Sequence, residues 1–266
     1  MAPGAGKRRP LNDYDVIMVE AMSEPVHRIA MWSGPRNIST ALMRSWGNRP
    51  DTAVWDEPFY AHYLLRTGIE HPGAQEVIRH HETDWRQVVE RIAGPVPEGK
   101  AIFYQKHMAH HMLPVIERDW LAGVTHAFLI RHPREVLISL ARVVPRPTLD
   151  ETGLPQQWEI FSEVKAKTGG IPPVIDARAV LENPSRQLRL LCESLGVPFL
   201  DCMLSWPAGP RVTDGVWAKH WYDTVIQSTG FEPYTPPAQA LPSHLTEVLS
   251  SAETIYKRLY AYRLRA

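Results

Sequence analysis

The sequence predicts an α/β protein in three layers, with a mostly parallel central sheet between two layers of helices. Five short apolar runs of strand length alternate along the chain with stretches of helical spacing. The composition, 44% hydrophobic and 22% charged in 266 residues, is that of an ordinary globular domain. No repeat or low-complexity block divides the chain, so we predict a single domain over residues 25–266.

The first 24 residues differ in character from the rest. They carry glycine, proline and the basic cluster Lys7-Arg8-Arg9. We predict that residues 1–24 form a flexible leader without a role in the fold.

The first strand, loop and helix carry the clearest functional signal. An apolar run at residues 27–32 is followed by a loop of small residues at 33–38, and a helical pattern opens at Ser39. This arrangement presents several backbone N–H groups to an anion. Arg36 adds a planar donor fork suited to phosphate or sulfate, and Thr40 adds a second hydroxyl beside Ser39. An ordinary turn with Ser39 as helix cap explains the serine but not the arginine.

The same loop does not match a Walker motif. That motif places a lysine and then a serine or threonine after its second glycine, so that the hydroxyl can hold Mg²⁺. Here the basic residue precedes the turn. An ordinary Mg²⁺–ATP site is therefore disfavoured.

The remaining elements follow in order along the chain. Strands are predicted at residues 52–56, 101–106, 124–131 and 174–176, and helices at 84–93, 134–144, 158–167, 184–195 and 243–263. Pro133 enters one helix, and Asn183 can cap another that stops at Gly196. Residues 200–237, which are rich in proline, glycine and tryptophan, predict an irregular loop or lid.

Polar residues follow the ends of the predicted strands. They are Arg36, Glu57, Lys106, His107 and Arg131. Because ligands bind beyond the carboxyl ends of parallel strands, we expect these side chains to share one site.

The bulk numbers exclude several classes of protein. A formal net charge of +0 argues against a general nucleic-acid or membrane-surface binder. Two cysteines, Cys192 and Cys202, make neither a disulfide framework nor a paired-cysteine metal motif. No apolar run approaches the roughly 20 residues of a membrane span, and no signal peptide is evident. We predict a cytoplasmic protein with no nucleic-acid or membrane partner, while a homo-oligomer stays possible.

A second informative stretch, RHPREVLIS, covers residues 131–139. Arg131 lies at a strand end, and Ser139 follows about two helical turns later. Together they can hold one phosphate by charge-assisted and neutral hydrogen bonds. The alternative is that Arg131 pairs with a nearby carboxylate and Ser139 is merely tolerated in the helix.

Together the two stretches resemble the sulfotransferase family that uses 3'-phosphoadenosine 5'-phosphosulfate (PAPS). PRNIST at residues 35–40 is similar to that family's 5'-phosphosulfate loop, commonly PRSGTT or PKSGTT. Residues 131–139 are similar to its 3'-phosphate motif, R-x-P-R-D-V-x-x-S. Looser likenesses are VIDARAVLENPSRQLRLLCESLGV at 174–197 and GVWAKHW at 215–221, which is similar to the segment that closes over the nucleotide. The resemblance implies a P-loop NTPase-like sulfotransferase fold.

The resemblance also assigns the nucleotide-binding residues. It implies that the 5' end of the nucleotide is held by Pro35, Arg36, Asn37, Ile38, Ser39 and Thr40. It implies that Arg131 and Ser139 hold the 3'-phosphate, while Trp217 and Lys219 belong to residues 215–221, which would close over the nucleotide. No counterpart of the family's Arg-Lys-Gly triplet is evident, and Lys219 or Arg211 could substitute.

The phosphosulfate loop departs from the family pattern at two positions. Asn37 and Ile38 stand where the family usually has Ser-Gly. Ile38 cannot readily adopt a positive φ, so the sequence leaves the backbone path of the loop open.

The resemblance implies transfer of a sulfuryl group from PAPS to a hydroxyl or amine of a small-molecule acceptor, with no metal. Arg36 and the loop amides would stabilise charge that builds on the leaving oxygen. Glu57 is the first prediction for the base, although it could be a surface carboxylate or pair with Arg36. His107 is the second prediction for the base. Lys106 could contact the leaving oxygen, or it could be a solvated lysine at the strand end.

Three other interpretations stay open. His107, His110 and His111 could form a metal cluster, but no acidic residue accompanies them and we predict no metal site. The chain could be a nucleotide-dependent phosphotransferase on the same architecture, which would require Mg²⁺. It could also be a nucleotide-binding module whose altered loop has lost catalysis.

Overall fold

A parallel sheet of five strands forms the centre of the computed structural model, which describes residues 26–265. The strands are β1 (His27–Ser33), β2 (Thr52–Asp56), β3 (Ile102–Met108), β4 (Thr125–Ile130) and β5 (Val174–Asp176). Their order is β2-β3-β1-β4-β5, and each neighbouring pair is parallel. The predicted leader at residues 1–24 lies outside the described residues.

The helices connect the strands and cover both faces of the sheet. They are α1 (Ser39–Gly47), α2 (Tyr60–Thr67), α3 (Ala74–His80), α4 (Trp85–Ala93), α5 (Pro133–Leu140), α6 (Leu154–Thr168), α7 (Ala177–Glu182), α8 (Pro184–Ser194), α9 (Ala218–Trp221), α10 (Asp223–Gln227) and α11 (Thr246–Ala261). Short 3₁₀ turns lie between several of them.

Alternating side chains of β1 contribute to two separate cores. Ile29 and Met31 pack on one face of the sheet with apolar residues of α1 and α8. Ala30 and Trp32 pack on the other face with residues of α4, α6 and α11. This follows from the twofold period of a strand, whose successive side chains point to opposite faces. The predicted α/β class with three layers and a parallel sheet is confirmed.

Large buried aromatic side chains supply much of the packing. Trp32, Trp46 and Phe128 are each completely buried. Burial of a side chain of this size stabilises the fold by roughly 1.5–3 kcal/mol. The fold therefore has a well-filled core on each face of the sheet, against which the loops at the strand ends are fixed.

Most predicted elements are present with shifted ends. The helix predicted at 84–93 begins at Trp85, because Asp84 is its N-cap and accepts a hydrogen bond from the Arg86 N–H at 2.9 Å. Asn183 caps α8 as predicted, accepting from the Arg186 N–H at 3.1 Å. The helix predicted at 134–144 ends at Leu140. Residues 200–237, predicted to be irregular, contain α9 and α10.

Besides α9 and α10, three helices were missed by the sequence analysis. They are α2, α3 and α7. The buried face of α2 includes Tyr60, His62 and Tyr63, which are less apolar than aliphatic residues. The sequence of α2 therefore lacks a clear apolar period. α7 has only six residues, and Asp176 caps it through hydrogen bonds from Arg178 N and Ala179 N. α7 starts directly after β5, and three residues separate the end of β2 from the start of α2.

Parallel strands bring all these connections to one edge of the sheet. The loops after β1, β2, β3 and β4 therefore meet in space. Between residues 26 and 265 we find no helix with the length and apolar character needed to cross a bilayer.

Candidate functional site

A cavity of about 750 Å³ lies at the carboxyl ends of the strands. Residues that follow β1, β2, β3 and β4 all line it, which is the position expected for a ligand site in an open parallel sheet. Sequence-predicted site residues that line the cavity are Pro35, Arg36, Asn37, Ile38, Ser39, Thr40, Glu57, Lys106, Arg131 and Ser139. Its volume lies within the range of roughly 300–1,000 Å³ that is usual for small-molecule sites.

Arg36 contacts both Arg131 and Ser139 on one side of this cavity, and we call these three residues the basic wall. The Nε of Arg36 donates to Oγ of Ser139 at 2.9 Å. The Nη1 of Arg131 donates to the main-chain oxygen of Arg36, also at 2.9 Å. Its Nε donates to Glu135 at 2.9 Å, so the carboxylate partner considered for Arg131 is present as well. The two arginines, 95 positions apart in sequence, thus share one cleft.

Positive charge on the basic wall is only partly neutralised. Burial lowers the pKa of Arg36, and the nearby charges of Arg131 and Arg142 lower it further. Within residues 26–265, Arg36 has no carboxylate within ion-pair distance; Glu57 pairs with Lys106 instead. Like charges held this close favour the binding of an anion between them.

The loop between β1 and α1 has a strained backbone. Arg36 and Ile38 both lie in the left-handed region, with φ of 61° and 58°. The backbone path that the sequence left open is thus one in which Ile38 takes the left-handed conformation, at a cost on the order of 1–3 kcal/mol. Asn37 anchors the turn, because its Nδ2 donates to the buried main-chain oxygen of Leu129 at 3.2 Å.

The start of α1 is left without a side-chain cap. Ile38 is the N-cap and makes no side-chain hydrogen bond to the helix, and the first turn contains no acidic residue. Ser39 is thus the first helical residue and not the cap that the simpler interpretation required. Ser39, Thr40 and Ala41 line the cavity, and N–H groups in a helix's first turn have no partner within the helix. This end of α1 adds roughly half a positive charge to the basic wall.

A buried set of four side chains, the lysine network, adjoins the cavity. It consists of Asp56, Glu57, Lys106 and Tyr222. The Nζ of Lys106 donates to Oδ1 of Asp56 at 2.8 Å, to Oε1 of Glu57 at 2.7 Å and to the hydroxyl of Tyr222 at 2.6 Å. Tyr222 in turn donates to Oδ2 of Asp56 at 2.7 Å. Lys106 is only 1% exposed, so it is not the solvated lysine considered from sequence.

The lysine network perturbs its titratable groups. Burial raises the pKa of Glu57; the charge of Lys106 opposes this, and the charge of Asp56 raises it further. Burial alone would lower the pKa of Lys106, but Asp56 and Glu57 together hold it well above its ordinary value. Two carboxylates thus compete for one ammonium group. Glu57 is consequently a stronger proton acceptor than an ordinary glutamate.

His107 lies in the core and not on the cavity wall. It is 1% exposed and stacks on Trp32 with ring centroids 4.5 Å apart. Its Nε2 faces Oε1 of Gln105 at 3.2 Å, and burial lowers its pKa to about 3. The structure therefore does not support His107 as the base.

Trp217 and Lys219 also lie outside the cavity lining. Trp217 is 1% exposed, packs edge-on against Tyr60 and donates to the Tyr222 hydroxyl at 3.1 Å. Lys219 pairs with Glu76 on the surface. Arg211, considered beside Lys219, lies apart from the cavity as well. The neighbours of these residues, Trp221 and Tyr222, line the cavity in their place.

The cavity also has an aromatic wall, of which the sequence suggested only the aromatic residues that closely follow Glu57. We give this name to six residues that line the cavity and contact one another: Tyr60, Tyr63, His71, His110, His111 and Trp221. Burial lowers the pKa of His110 to about 3 and holds the pKa of His111 well below its ordinary value, so both are neutral. Their Nδ1 atoms have no hydrogen-bond partner among residues 26–265. The dense histidines and aromatics of residues 57–63 and 107–111 were the available signal.

The two walls differ in charge. Beside the aromatic wall lie the carboxylates of Glu57 and Glu151, while the three N–H groups of Lys106 are all engaged in the lysine network. In the part of the chain that the structure covers, no group of three or more histidine, cysteine or acidic side chains is arranged to hold a metal ion. The cavity thus has a positively charged side and a side that is neutral to acidic.

Solved structures of low sequence identity share this fold. The sulfotransferase domain of the Synechococcus PCC 7002 olefin synthase has 17% identity and a TM-score of 0.52, covering 91% of this chain and 97% of that chain. The sulfotransferase domain of the curacin biosynthetic pathway has 16% identity and a TM-score of 0.50, with 91% and 100% covered. A sulfotransferase from Alicyclobacillus acidocaldarius has 14% identity and a TM-score of 0.53, with 92% and 98% covered.

Two curated relatives from Arabidopsis thaliana match by sequence. Branched-chain-amino-acid aminotransferase-like protein 1 is 36% identical over 241 residues, which is 91% of this chain and 43% of that protein. Branched-chain-amino-acid aminotransferase-like protein 2 is 35% identical over 231 residues, 87% of this chain and 41% of that protein. The chain therefore spans less than half the length of these relatives.

The family model described as a sulfotransferase domain matches residues 27–263, nearly the whole described chain. The match includes both arginine motifs and every strand of the sheet. The fold and family predicted from the two motifs are confirmed, and the chain belongs to the sulfotransferase family.

Proposed function

We propose that this chain transfers a sulfuryl group from PAPS to a hydroxyl or amine of a small-molecule acceptor. The observation that carries the proposal is the meeting of Arg36, Arg131 and Ser139 in one cleft beside the uncapped start of α1. PAPS bears anionic groups at both the 3' and the 5' position of its ribose. Two adjoining anion grips suit such a molecule better than they suit a ligand with a single charge.

The proposed reaction is an in-line displacement at sulfur. The acceptor oxygen or nitrogen forms a bond to sulfur, the bond from sulfur to the bridging phosphate oxygen breaks, and 3'-phosphoadenosine 5'-phosphate leaves. Arg36 and the first N–H groups of α1 stabilise the charge that builds on the leaving oxygen. As in phosphoryl transfer, positioning and electrostatics carry most of the catalysis, and no metal is needed for these steps.

Glu57 takes the proton that the acceptor loses. It lines the cavity at the end of β2, and its raised pKa suits a base better than that of an exposed glutamate. Lys106 holds its carboxylate in place through the 2.7 Å hydrogen bond. We therefore assign Lys106 to the orientation of Glu57. A contact from Lys106 to the leaving oxygen would require one of its three hydrogen bonds to break.

The aromatic wall provides the acceptor side of the cavity. Its rings favour a small molecule with apolar or aromatic surface, and the carboxylates of Glu57 and Glu151 disfavour an acceptor with negative charge. The proposal also includes a cytoplasmic location, in keeping with the free thiols of Cys192 and Cys202.

Titration calorimetry separates this proposal from a phosphotransferase. We expect 3'-phosphoadenosine 5'-phosphate to bind with unchanged affinity when EDTA is present, because the basic wall needs no metal to hold it. Binding of Mg²⁺–ATP without binding of the bisphosphate would overturn the proposal. Transfer of ³⁵S from labelled PAPS to a panel of alcohols, phenols and amines then separates an enzyme from a nucleotide-binding module.

A further inference from the structure

Tyr222 connects the lysine network to a segment that covers the cavity. We call residues 215–227 the closing segment; it contains α9 and α10, and four of its residues line the cavity: Trp221, Tyr222, Thr224 and Val225. Trp217 packs on Tyr60 with ring centroids 5.1 Å apart, and Trp221 packs on His71 at 5.9 Å. The closing segment is thus seated on the aromatic wall.

The Tyr222 hydroxyl uses its full hydrogen-bonding capacity. It donates to Oδ2 of Asp56 at 2.7 Å, and it accepts from Nζ of Lys106 at 2.6 Å and from Nε1 of Trp217 at 3.1 Å. A hydroxyl has one hydrogen to donate and two lone pairs to accept with. Tyr222 is 4% exposed, so water cannot easily replace these contacts.

The same hydroxyl decides how Lys106 is shared between two carboxylates. Lys106 has three N–H groups and gives one each to Asp56, Glu57 and Tyr222. With both carboxylates ionised the network carries one net negative charge. Asp56 accepts one hydrogen bond from Lys106 and a second from the O–H of Tyr222. Because of this second donor, Asp56 does not need a further N–H group of Lys106, and Lys106 can also bind Glu57. Without that O–H, two buried negative charges would depend on a single cation.

We propose that Tyr222 is a positioning residue that keeps Glu57 ionised and ready to accept a proton when the closing segment is seated. This inference rests on the proposed function, since it takes Glu57 as the base. It adds a role for a part of the chain that the nucleotide motifs do not contain. Tyr222 would link coverage of the cavity to readiness for proton transfer.

Few ionisable groups act on Glu57, and each element around it contributes one. Asp56 precedes it on β2, Lys106 comes from β3, Tyr60 from α2 and Tyr222 from the closing segment. Of these, only Tyr222 belongs to the segment that covers the cavity.

The test is a pH titration of Glu57 in the full chain. NMR monitors the titration, in protein labelled with ¹³C at the glutamate carboxyl carbon. The Glu57 signal is identified by its absence in Glu57→Gln. In Tyr222→Phe the ring is kept and only the hydroxyl is lost. We expect the Glu57 midpoint to rise by about one pH unit, the size of one modest hydrogen bond to a charged group. An unchanged or lower midpoint overturns the inference.

Tyr256→Phe is the matched control. Its hydroxyl also donates to a buried strand-end carboxylate, Oδ2 of Asp176, at 2.9 Å. The control therefore loses a bond of the same kind outside the lysine network, and its Glu57 midpoint should stay where it is in the wild type. A similar shift in both variants would trace the effect to general loosening and would overturn the specific role of Tyr222.

A second variant serves if Tyr222→Phe does not fold. Trp217→Phe removes one donor to the Tyr222 hydroxyl and should also raise the Glu57 midpoint, by a smaller amount. An unchanged midpoint in this variant also overturns the inference.

Calorimetry with 3'-phosphoadenosine 5'-phosphate is run on each variant. If the wild type did not bind the nucleotide, the proposed function would be refuted. If Tyr222→Phe bound the nucleotide with wild-type affinity and its Glu57 midpoint did not move, only the role of Tyr222 would be refuted.

Discussion

Arg36 and Arg131 show how individual residues create the site. Each would be costly if buried alone, yet their approach is held by main-chain and hydroxyl contacts and not by carboxylates between them. The resulting excess of positive charge is the property that a doubly anionic nucleotide can use. The closeness of these two residues is therefore what marks the site. The sequence motifs indicated it, and the fold brings the two residues together.

Replacing Arg131 with alanine should weaken the binding of 3'-phosphoadenosine 5'-phosphate. Loss of charge-assisted hydrogen bonds, worth roughly 1.5–3 kcal/mol each, predicts a rise in Kd of about 10- to 100-fold. Titration calorimetry measures it. Arg189→Ala is the control, because Arg189 is an exposed arginine that pairs with Asp201. Equal affinities in the two variants would contradict a role for Arg131.

Glu57→Gln should abolish most transfer while nucleotide binding is retained. Removal of a general base typically costs about 10²–10⁴-fold in rate. In the wild type, the rate should rise with pH through a midpoint above 4.5, because the pKa of Glu57 is raised from that value and only its ionised form accepts a proton. Full activity of Glu57→Gln in the ³⁵S assay would show that Glu57 is not the base.

At the scale of elements, the loop after β1 is held by a second loop. Gly34 lies so close to the main-chain oxygen of Thr152 that a Cβ at this position would overlap it. Gly153, the next residue, also approaches Gly34. The 3₁₀ turn Asp150–Thr152 thus supports the basic wall from behind.

Gly34→Ala should therefore destabilise the protein and weaken nucleotide binding. Overpacking of a fixed site typically costs about 1–3 kcal/mol, and the backbone of Thr152 cannot move as a side-chain end could. Urea unfolding and calorimetry measure the two effects. Gly123→Ala is the control, since a Cβ at Gly123 would meet nothing within 4 Å. If the two variants were equally stable, the proposed support of the loop would be wrong.

Sequence reasoning succeeded where an element has one dominant period. β1, its loop and α1 were predicted from an apolar run, small residues and a helical pattern, and β5 was predicted with its observed ends. It failed for α2, whose buried face mixes apolar residues with Tyr60, His62 and Tyr63. Such residues carry little periodic signal, although tertiary packing buries them.

Long-range contacts account for the errors at the site. His107 follows Lys106 directly, but alternation along β3 sends the two side chains to opposite faces, one to the lysine network and one to the core. Tyr222 joins Lys106 across 116 positions, which no local pattern encodes. The motifs therefore identified the basic wall of the cavity, while most of the aromatic wall and the contacts of Tyr222 had to come from the fold.

For the molecule as a whole, buried neutral histidines should make stability depend on pH. Burial lowers the pKa of His107 to about 3 and that of His126 to about 4, both from 6.5. Below pH 6.5 the unfolded chain therefore takes up protons that the folded chain does not. This contribution to stability is complete above pH 6.5 and is lost as the pH falls towards the folded values.

We expect the free energy of unfolding to fall by on the order of 1 kcal/mol per pH unit for each such histidine once the pH is well below 6.5. Urea unfolding at a series of pH values measures the slope. His126→Gln should be less stable near neutrality, because Trp32 donates to Nδ1 of His126 at 2.9 Å, but it should show a shallower acid slope. An identical slope in the variant would contradict the assignment.

The unequal charge of the two walls has a consequence for turnover under the proposed function. A sulfated product carries an anionic group that its precursor lacked. That group would form beside Glu151, and beside Glu57 once Glu57 has released the proton that it took from the acceptor, while all three N–H groups of Lys106 are engaged. Repulsion between these carboxylates and the sulfated product would favour release of the product after its bond to the nucleotide has broken. The enzyme would then discriminate between its entering and departing molecules by electrostatics alone, and accumulated product would inhibit it only weakly.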